Sequence, residues 1–143
     1  MATFDDKQRE FLETNHRAAM ITLKADGAPH AVRIGVALVD GKLWSSGTQQ
    51  RARTGYVRRD PRATLFVFDQ QYGYLSIDGT VTLIEGAEVP AASVKLFRTM
   101  QGRASGPMLW NGKEIEEDAF RQAMVDEQRL IYQFEPKHVS GMI

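Results

Sequence analysis

A chain of 143 residues, 43% of them apolar, can bury one hydrophobic core, so a single domain spanning 1–143 is expected. Lys plus Arg equals Asp plus Glu at 18 each, which leaves no global field to draw the protein to nucleic acid or an anionic membrane. The absence of cysteine excludes disulfides, thiolate metal ligands and thiol nucleophiles, and no apolar run nears the roughly 20 residues of a membrane span; a soluble, cytoplasmic protein is expected.

From Phe4 to Asn15, Phe4, Phe11 and Leu12 recur at helical spacing among charges, predicting an amphipathic helix that lies on a larger body as a lid or brace. The period then changes. The segment AAMITLKADGAPHAVRIGVALVDGKLWSSG holds three apolar runs separated by Asp26-Gly27 and Asp40-Gly41, and such pairs supply the positive φ angles of tight hairpins, so three antiparallel strands are expected. GTQQRARTGYVRRDPRA reads as a short helix that Asp60-Pro61 closes. ATLFVFD and YLSIDGTVTLIEG, rich in β-branched and aromatic residues, give two more strands. Pro90 suits the first turn of a helix over VPAASVKLFRTMQ, the cluster from Gly102 to Pro107 reads as a flexible loop, and EIEEDAFRQAMVDEQR repeats Ile115, Ala119 and Ala123 at helical spacing. RLIYQFEPKHVSGMI reads as one closing strand and a short tail. Strands in meander order with late helices predict a mainly β, α+β protein built on a six- to seven-stranded antiparallel barrel with peripheral helices.

The arginine helix raises an electrostatic question. A helix N-terminus carries roughly half a positive charge and unpaired N–H groups, yet Arg51 and Arg53 fall in this first turn. Cations there are repelled unless an anion sits among them. Ser45, Ser46 and Gly47 end the preceding strand, so hydroxyls, amides and guanidinium forks converge as phosphate or carboxylate binding requires. Arg58 and Arg59 fall at the opposite end, where cations need no ligand. On the strand before, Val32, Ile34, Val36 and Leu38 share one face, while Ala31, Arg33, Gly35 and Ala37 share the other. Gly35 then marks either a surface on which a flat ring lies or a bulge at a barrel corner. Tyr72 and Tyr74 stand beside Gly73 at a strand opening, placed to stack on a planar ligand, complete a subunit interface or pack a strand end. His16, His30 and His138 lack metal-ligand spacing, so no metal is expected; G-x-S-x-G, Walker and G-x-G-x-x-G patterns are absent. Neutral net charge argues against nucleic acid.

The ADGAPH turn, the R-A-R-T helix start and the ending V-R-R-D-P-R-A together resemble the pyridoxamine 5'-phosphate oxidase-like superfamily, and within it the branch of deazaflavin-dependent reductases that use coenzyme F420. The resemblance runs from Phe4 to the closing strand. It implies an FMN-binding type of split β-barrel, assembled as a homodimer with two cofactor sites at the subunit interface. It implies that the cofactor phosphate rests on Arg51, Ala52, Arg53 and Thr54 with Ser45 and Ser46 in support. The ring would run along Arg33, Ile34 and Gly35, and an aromatic of the partner would come near Tyr72 or Tyr74. Arg33 or Lys7 would meet the acidic tail of F420. The implied activity is hydride transfer from reduced F420 to an electron-poor small molecule; the alternatives are an FMN-dependent oxidase or reductase and a carrier of a planar anion. True pyridoxamine phosphate oxidases carry an arginine and a lysine spaced along the second strand and a C-terminal R-L-x-P. The ending EPKHVSGMI departs from that pattern, so vitamin B6 oxidation is not expected.

Overall fold

The computed structural model describes residues 3–143. The first helix, α1 (Asp6–Thr14), begins in a capping box: the Asp5 carboxylate accepts from the Gln8 amide at 2.7 Å while the Gln8 side chain accepts from the Asp5 amide at 3.0 Å. It buries Leu12 in the core. Four strands follow, β1 (Arg17–Leu23), β2 (Pro29–Gly35), β3 (Ala37–Val39) and β4 (Lys42–Thr48), then α2 (Ala52–Arg59), β5 (Arg62–Phe68) and β6 (Tyr74–Ile84). A short 3-10 turn leads into α3 (Val89–Gln101), with Pro90 in its first turn and Gly102 at φ 65° ending it. A hairpin of β7 (Met108–Trp110) and β8 (Lys113–Ile115), the helix α4 (Glu117–Asp126) and β9 (Arg129–Met142) complete the chain.

Seven strands form one antiparallel sheet in the order β2-β1-β5-β6-β9-β4-β3, which curls into the half-barrel of a split β-barrel. Its concave face holds Met20, Val36, Leu43, Leu65, Val67, Leu75, Ile77, Leu130 and Tyr132, while α2 adds Val57 and α1 adds Leu12. A second cluster lies on the other side of the sheet, where α3 sets Leu96 against Ala37, Val39 and Ile131. A third joins α3, α4 and the β7–β8 hairpin, with Phe97, Trp110 and Phe120 meeting edge to face at 5.2 to 5.4 Å.

Three elements differ from the sequence expectation. The second expected strand is broken at Val36, where Val36 and Ala37 are consecutive buried residues that face different clusters. The apolar alternation continues through the break because α3 covers the far side of β3, so the sequence carries no polar mark of the turn. The chain from Glu114 to Ile115 is strand rather than helix, and α4 buries Phe120 and Met124. The expected helix overlooked Asn111-Gly112, whose φ angles of 52° and 77° make it a tight hairpin. Finally, the expected tail is paired, since β9 follows β6 out to Tyr74↔Met142.

Two glycines should respond oppositely to alanine. At Gly79 the β6–β9 register shifts, and an added Cβ would run into the backbone carbonyl of Glu135, which has no side-chain freedom to yield. Gly79→Ala should destabilise by about 1–3 kcal/mol or more. Gly55, inside α2, has open space around the same atom, so Gly55→Ala should stabilise by about 0.5–1 kcal/mol. Urea denaturation of both variants checks the pair.

Candidate functional site

The start of α2 reproduces the electrostatic conflict expected of it. Arg51 is the N-cap residue in extended conformation, no side chain caps the helix, and its first turn contains no acid. Arg53 is half-buried. Its Nη2 donates to the Ser46 carbonyl over a long 3.5 Å, its guanidinium lies 5.4 Å from the centre of the Tyr132 ring, and its Nε is buried with no partner. Burial pulls the Arg53 pKa below the ordinary arginine value, and Arg51 and Arg129 push in the same direction. The hydroxyl of the neighbouring Ser46 is also buried without a partner. Arg53 and Ser46, residues in contact through the Ser46 carbonyl, thus each carry a buried polar atom without a partner, and with the exposed Arg51 they make up a charged cradle at the helix start.

The remaining cations of this helix, and Arg62 at the start of β5, are occupied. Arg58 donates to Glu85 at 3.2 Å and to Gln49 at 2.8 Å, and this pairing lowers the Glu85 pKa. Arg59 donates to the Leu23 carbonyl, and Arg62 forks onto Asp60, holding that carboxyl down to about 2.

Two of the expected phosphate ligands turn inward. Ser45 is buried and donates to the Gly35 carbonyl at 2.6 Å. Thr54 is buried, donates to the Thr48 carbonyl at 2.7 Å, and sits 2.5 Å from the Tyr132 hydroxyl. Because Thr54 has a single hydroxyl proton, the Tyr132 hydroxyl is the donor in that second bond. Ala52 is exposed on the first turn.

Along β2, Ile34 faces the core, whereas Arg33 and Gly35 are exposed on the convex side. Gly35 adjoins the strand break. The Val36 amide donates to the His16 carbonyl at 2.9 Å, and His16 Nδ1 lies 3.0 Å from the Val36 carbonyl. The surface of Gly35 is covered by one flexible group, the Met100 thioether, whose sulfur stands 3.0 Å from where a Cβ would be. Beside it opens a cavity of about 570 Å³ walled by α1, β1, the β5–β6 turn and Met100.

Tyr74 stacks on Phe66 at 5.1 Å on the same convex face, in a cross-strand row of Phe68, Tyr74 and Met142, while Gly35 pairs with Arg17 of β1. Tyr72 stands at the tip of the intervening turn, 86% exposed. Sequence reasoning did not single out Tyr132, Met100 or His16 as parts of this region. Tyr132 was findable, since Leu130, Tyr132 and Phe134 alternate into the core and a buried tyrosine hydroxyl needs a partner.

Tyr132→Phe should leave Thr54 with its bond to Thr48 and remove one buried hydrogen bond, costing about 0.5–1.5 kcal/mol. A larger loss by chemical denaturation would mean that the hydroxyl fixes α2 by more than this single bond.

Comparison with known proteins agrees with the fold. Among solved structures, a conserved hypothetical protein, Rv2991 from Mycobacterium tuberculosis, superposes with a TM-score of 0.74 at 19% identity, covering 99% of this chain and 85% of that one. An F420 reductase superposes with a TM-score of 0.68 at 20% identity, covering 96% and 98%. A heme binding protein from Mycobacterium smegmatis does so at 0.66 and 12% identity, this chain spanning 55% of that one. At these identities the likeness is one of fold. The family model described as pyridoxamine 5'-phosphate oxidase matches residues 4–142, and the chain therefore belongs to that family.

Proposed function

We propose that the chain binds a phosphate-bearing tricyclic cofactor, coenzyme F420 in the first reading and FMN in the second, and acts as an oxidoreductase on an electron-poor small molecule. The observation that carries this reading is the pair of orphaned buried donors, Arg53 Nε and Ser46 Oγ, at a helix start that holds two arginines and no acid. An anion with several acceptor oxygens satisfies both atoms and removes the repulsion at the helix N-terminus. In support, one solved structure of like fold is an F420 reductase. Arg51, Arg53 and Ser46 would hold the phosphate, and Arg33 and the bare surface of Gly35 would face the ring once Met100 swings aside. When bound, the deazaflavin or flavin supplies hydride chemistry, so no nucleophilic side chain is required. The protein binds, orients and shields.

A homodimer is part of the same proposal. The convex face across β2, β1, β5 and β6 carries Ala19, Ile21, Phe66 (36% exposed) and Tyr74, and Met142 extends it at 59%. Phe66 and Met142 stay exposed on that row, and a second copy would cover it and enclose a ring on Gly35.

Replacing Arg51 and Arg53 together with alanine should weaken binding of F420 or FMN by roughly tenfold or more per arginine, since charge-assisted hydrogen bonds contribute about 1.5–3 kcal/mol each. Cofactor-free stability should hold or rise slightly, because an unpartnered buried donor and a repulsion are removed together. Arg58→Ala, which breaks only the Glu85 and Gln49 contacts, should bind normally. Ring-fluorescence titration against both cofactors, beside thermal melts, decides; unchanged affinity in the folded double variant would falsify the site, and the tighter cofactor settles the choice between them.

Gly35→Val tests the ring. The Gly35 φ is not of the left-handed kind and the nearest obstacle is a flexible thioether, so the variant should fold. It should nonetheless lose cofactor affinity. Sedimentation of the wild type should show a dimer at micromolar concentration, and a monomer with full affinity would refute the shared site.

A further inference from the structure

We propose that His16 is the group that exchanges a proton with the molecule bound in the cavity beside Gly35; the inference rests on the hydride-transfer reading above. His16 occupies the junction of α1 and β1. Its carbonyl accepts from the Val36 amide at 2.9 Å, and its Nδ1 lies 3.0 Å from the Val36 carbonyl. A carbonyl only accepts, so Nδ1 carries a proton in every state of the ring. That fixes the tautomer. A proton exchanged by the ring is therefore one on Nε2, which makes no hydrogen bond among the described residues, while the backbone and ring bonds to Val36 hold the imidazole in one orientation.

The surroundings leave this role to His16. The cavity of about 570 Å³ is walled by Thr14 at the end of α1, Asn15 just beyond it, Arg17 from β1, Phe68 and the polar turn Asp69 to Gln71, and Met100 from α3. Its other charged groups are Arg17 and Asp69. Arg17 does not release its proton in the working range. The Asp69 carboxylate already accepts the amides of Gln71 at 2.7 Å and Gly73 at 3.0 Å. A ring on Gly35 would border this space directly, since the His16 carbonyl oxygen is 3.8 Å from where a Gly35 Cβ would stand.

Two-electron reduction of a conjugated carbonyl compound fits such a group. The deazaflavin or flavin, when bound in reduced form, would supply a hydride to the far carbon of the double bond, so that the π pair would move toward the carbonyl. The carbon next to the carbonyl then takes the proton from Nε2 of the His16 imidazolium. The double bond is lost, the reductant is oxidised by two electrons, and the neutral imidazole regains a proton from water.

His16→Asn keeps an N–H donor in the place of Nδ1 and deletes Nε2, which separates the structural role of His16 from the chemical one. Nitrogen-15 NMR of histidine-labelled, cofactor-free wild type should show the neutral ring as the Nδ1–H tautomer; the Nε2–H tautomer overturns the proposal whatever the cofactor does. With F420 or FMN loaded and 2-cyclohexenone as the probe, His16→Asn should bind cofactor as the wild type does. Its turnover should fall by about a hundredfold and its rate should lose a limb of the wild-type pH profile. Unchanged turnover with an unchanged profile overturns the role. Should melting show that His16→Asn does not fold, His16→Gln takes its place under the same criteria. A wild type that binds neither cofactor is a distinct result, read before any variant, and it removes the hydride-transfer reading together with this one.

Discussion

Where β4 and β9 run side by side, a full tyrosine ring stands on a glycine. The Tyr132 ring fills the space that a Cβ on Gly47 would need, and its hydroxyl donates to Thr54 in the first turn of α2. Thr54 in turn donates to the Thr48 carbonyl at the end of β4. One side chain thus fixes the distance between the sheet and the arginine helix, and Val57, one turn further on, seals the barrel end. Any side chain at Gly47 would lift Tyr132, and Thr54, Arg53 and the helix start would move with it. The position of the charged cradle is set from the apolar side.

Such a fixed position is what an orphaned guanidinium requires. Desolvating part of Arg53 costs free energy, and the long contact with the Ser46 carbonyl and the face of Tyr132 return only a fraction of it. A free arginine would swing into water. The neighbouring arginines show the ordinary alternative, since Arg58 and Arg62 stay near the surface and pair with Glu85 and Asp60. The contrast along this short stretch of chain separates cations that complete the fold from a cation held ready for something else.

Much of the fold was legible in the sequence because it is locally encoded. Asp26-Gly27 and Asp40-Gly41 are turns, with Gly27 at φ 85° and Gly41 at φ 77°. The alternation in Leu65, Val67, Leu75 and Ile77 faces the concave core as its period requires. What was not legible depends on burial from both sides. Ala37 and Val39 are apolar because α3 lies over them, and nothing local distinguishes that from one continuous strand. In the candidate site, residue types were readable from the helix dipole, but directions were not. Ser45 and Ser46 are adjacent and chemically identical, and only strand parity sends one hydroxyl into the barrel and leaves the other unpartnered.

The strand break explains why two segments ten residues apart in sequence belong to one region. The β1–β2 ladder ends at Arg17↔Gly35, which frees the Gly35 carbonyl to accept from Ser45 in β4. Without the break, β2 would run on past β4, and this hydrogen bond could not form. With it, the surface of Gly35 and the orphaned hydroxyl of Ser46 are joined by one 2.6 Å hydrogen bond and one peptide unit. His16 closes the same corner from the other side through its two bonds to Val36. A glycine in a strand is a weakness when judged by propensity alone. Here it admits Met100 in the cofactor-free state and, in the function proposed, a flat ring in the same place, so the glycine of β2 sits where a ligand and the barrel corner make opposite demands on space.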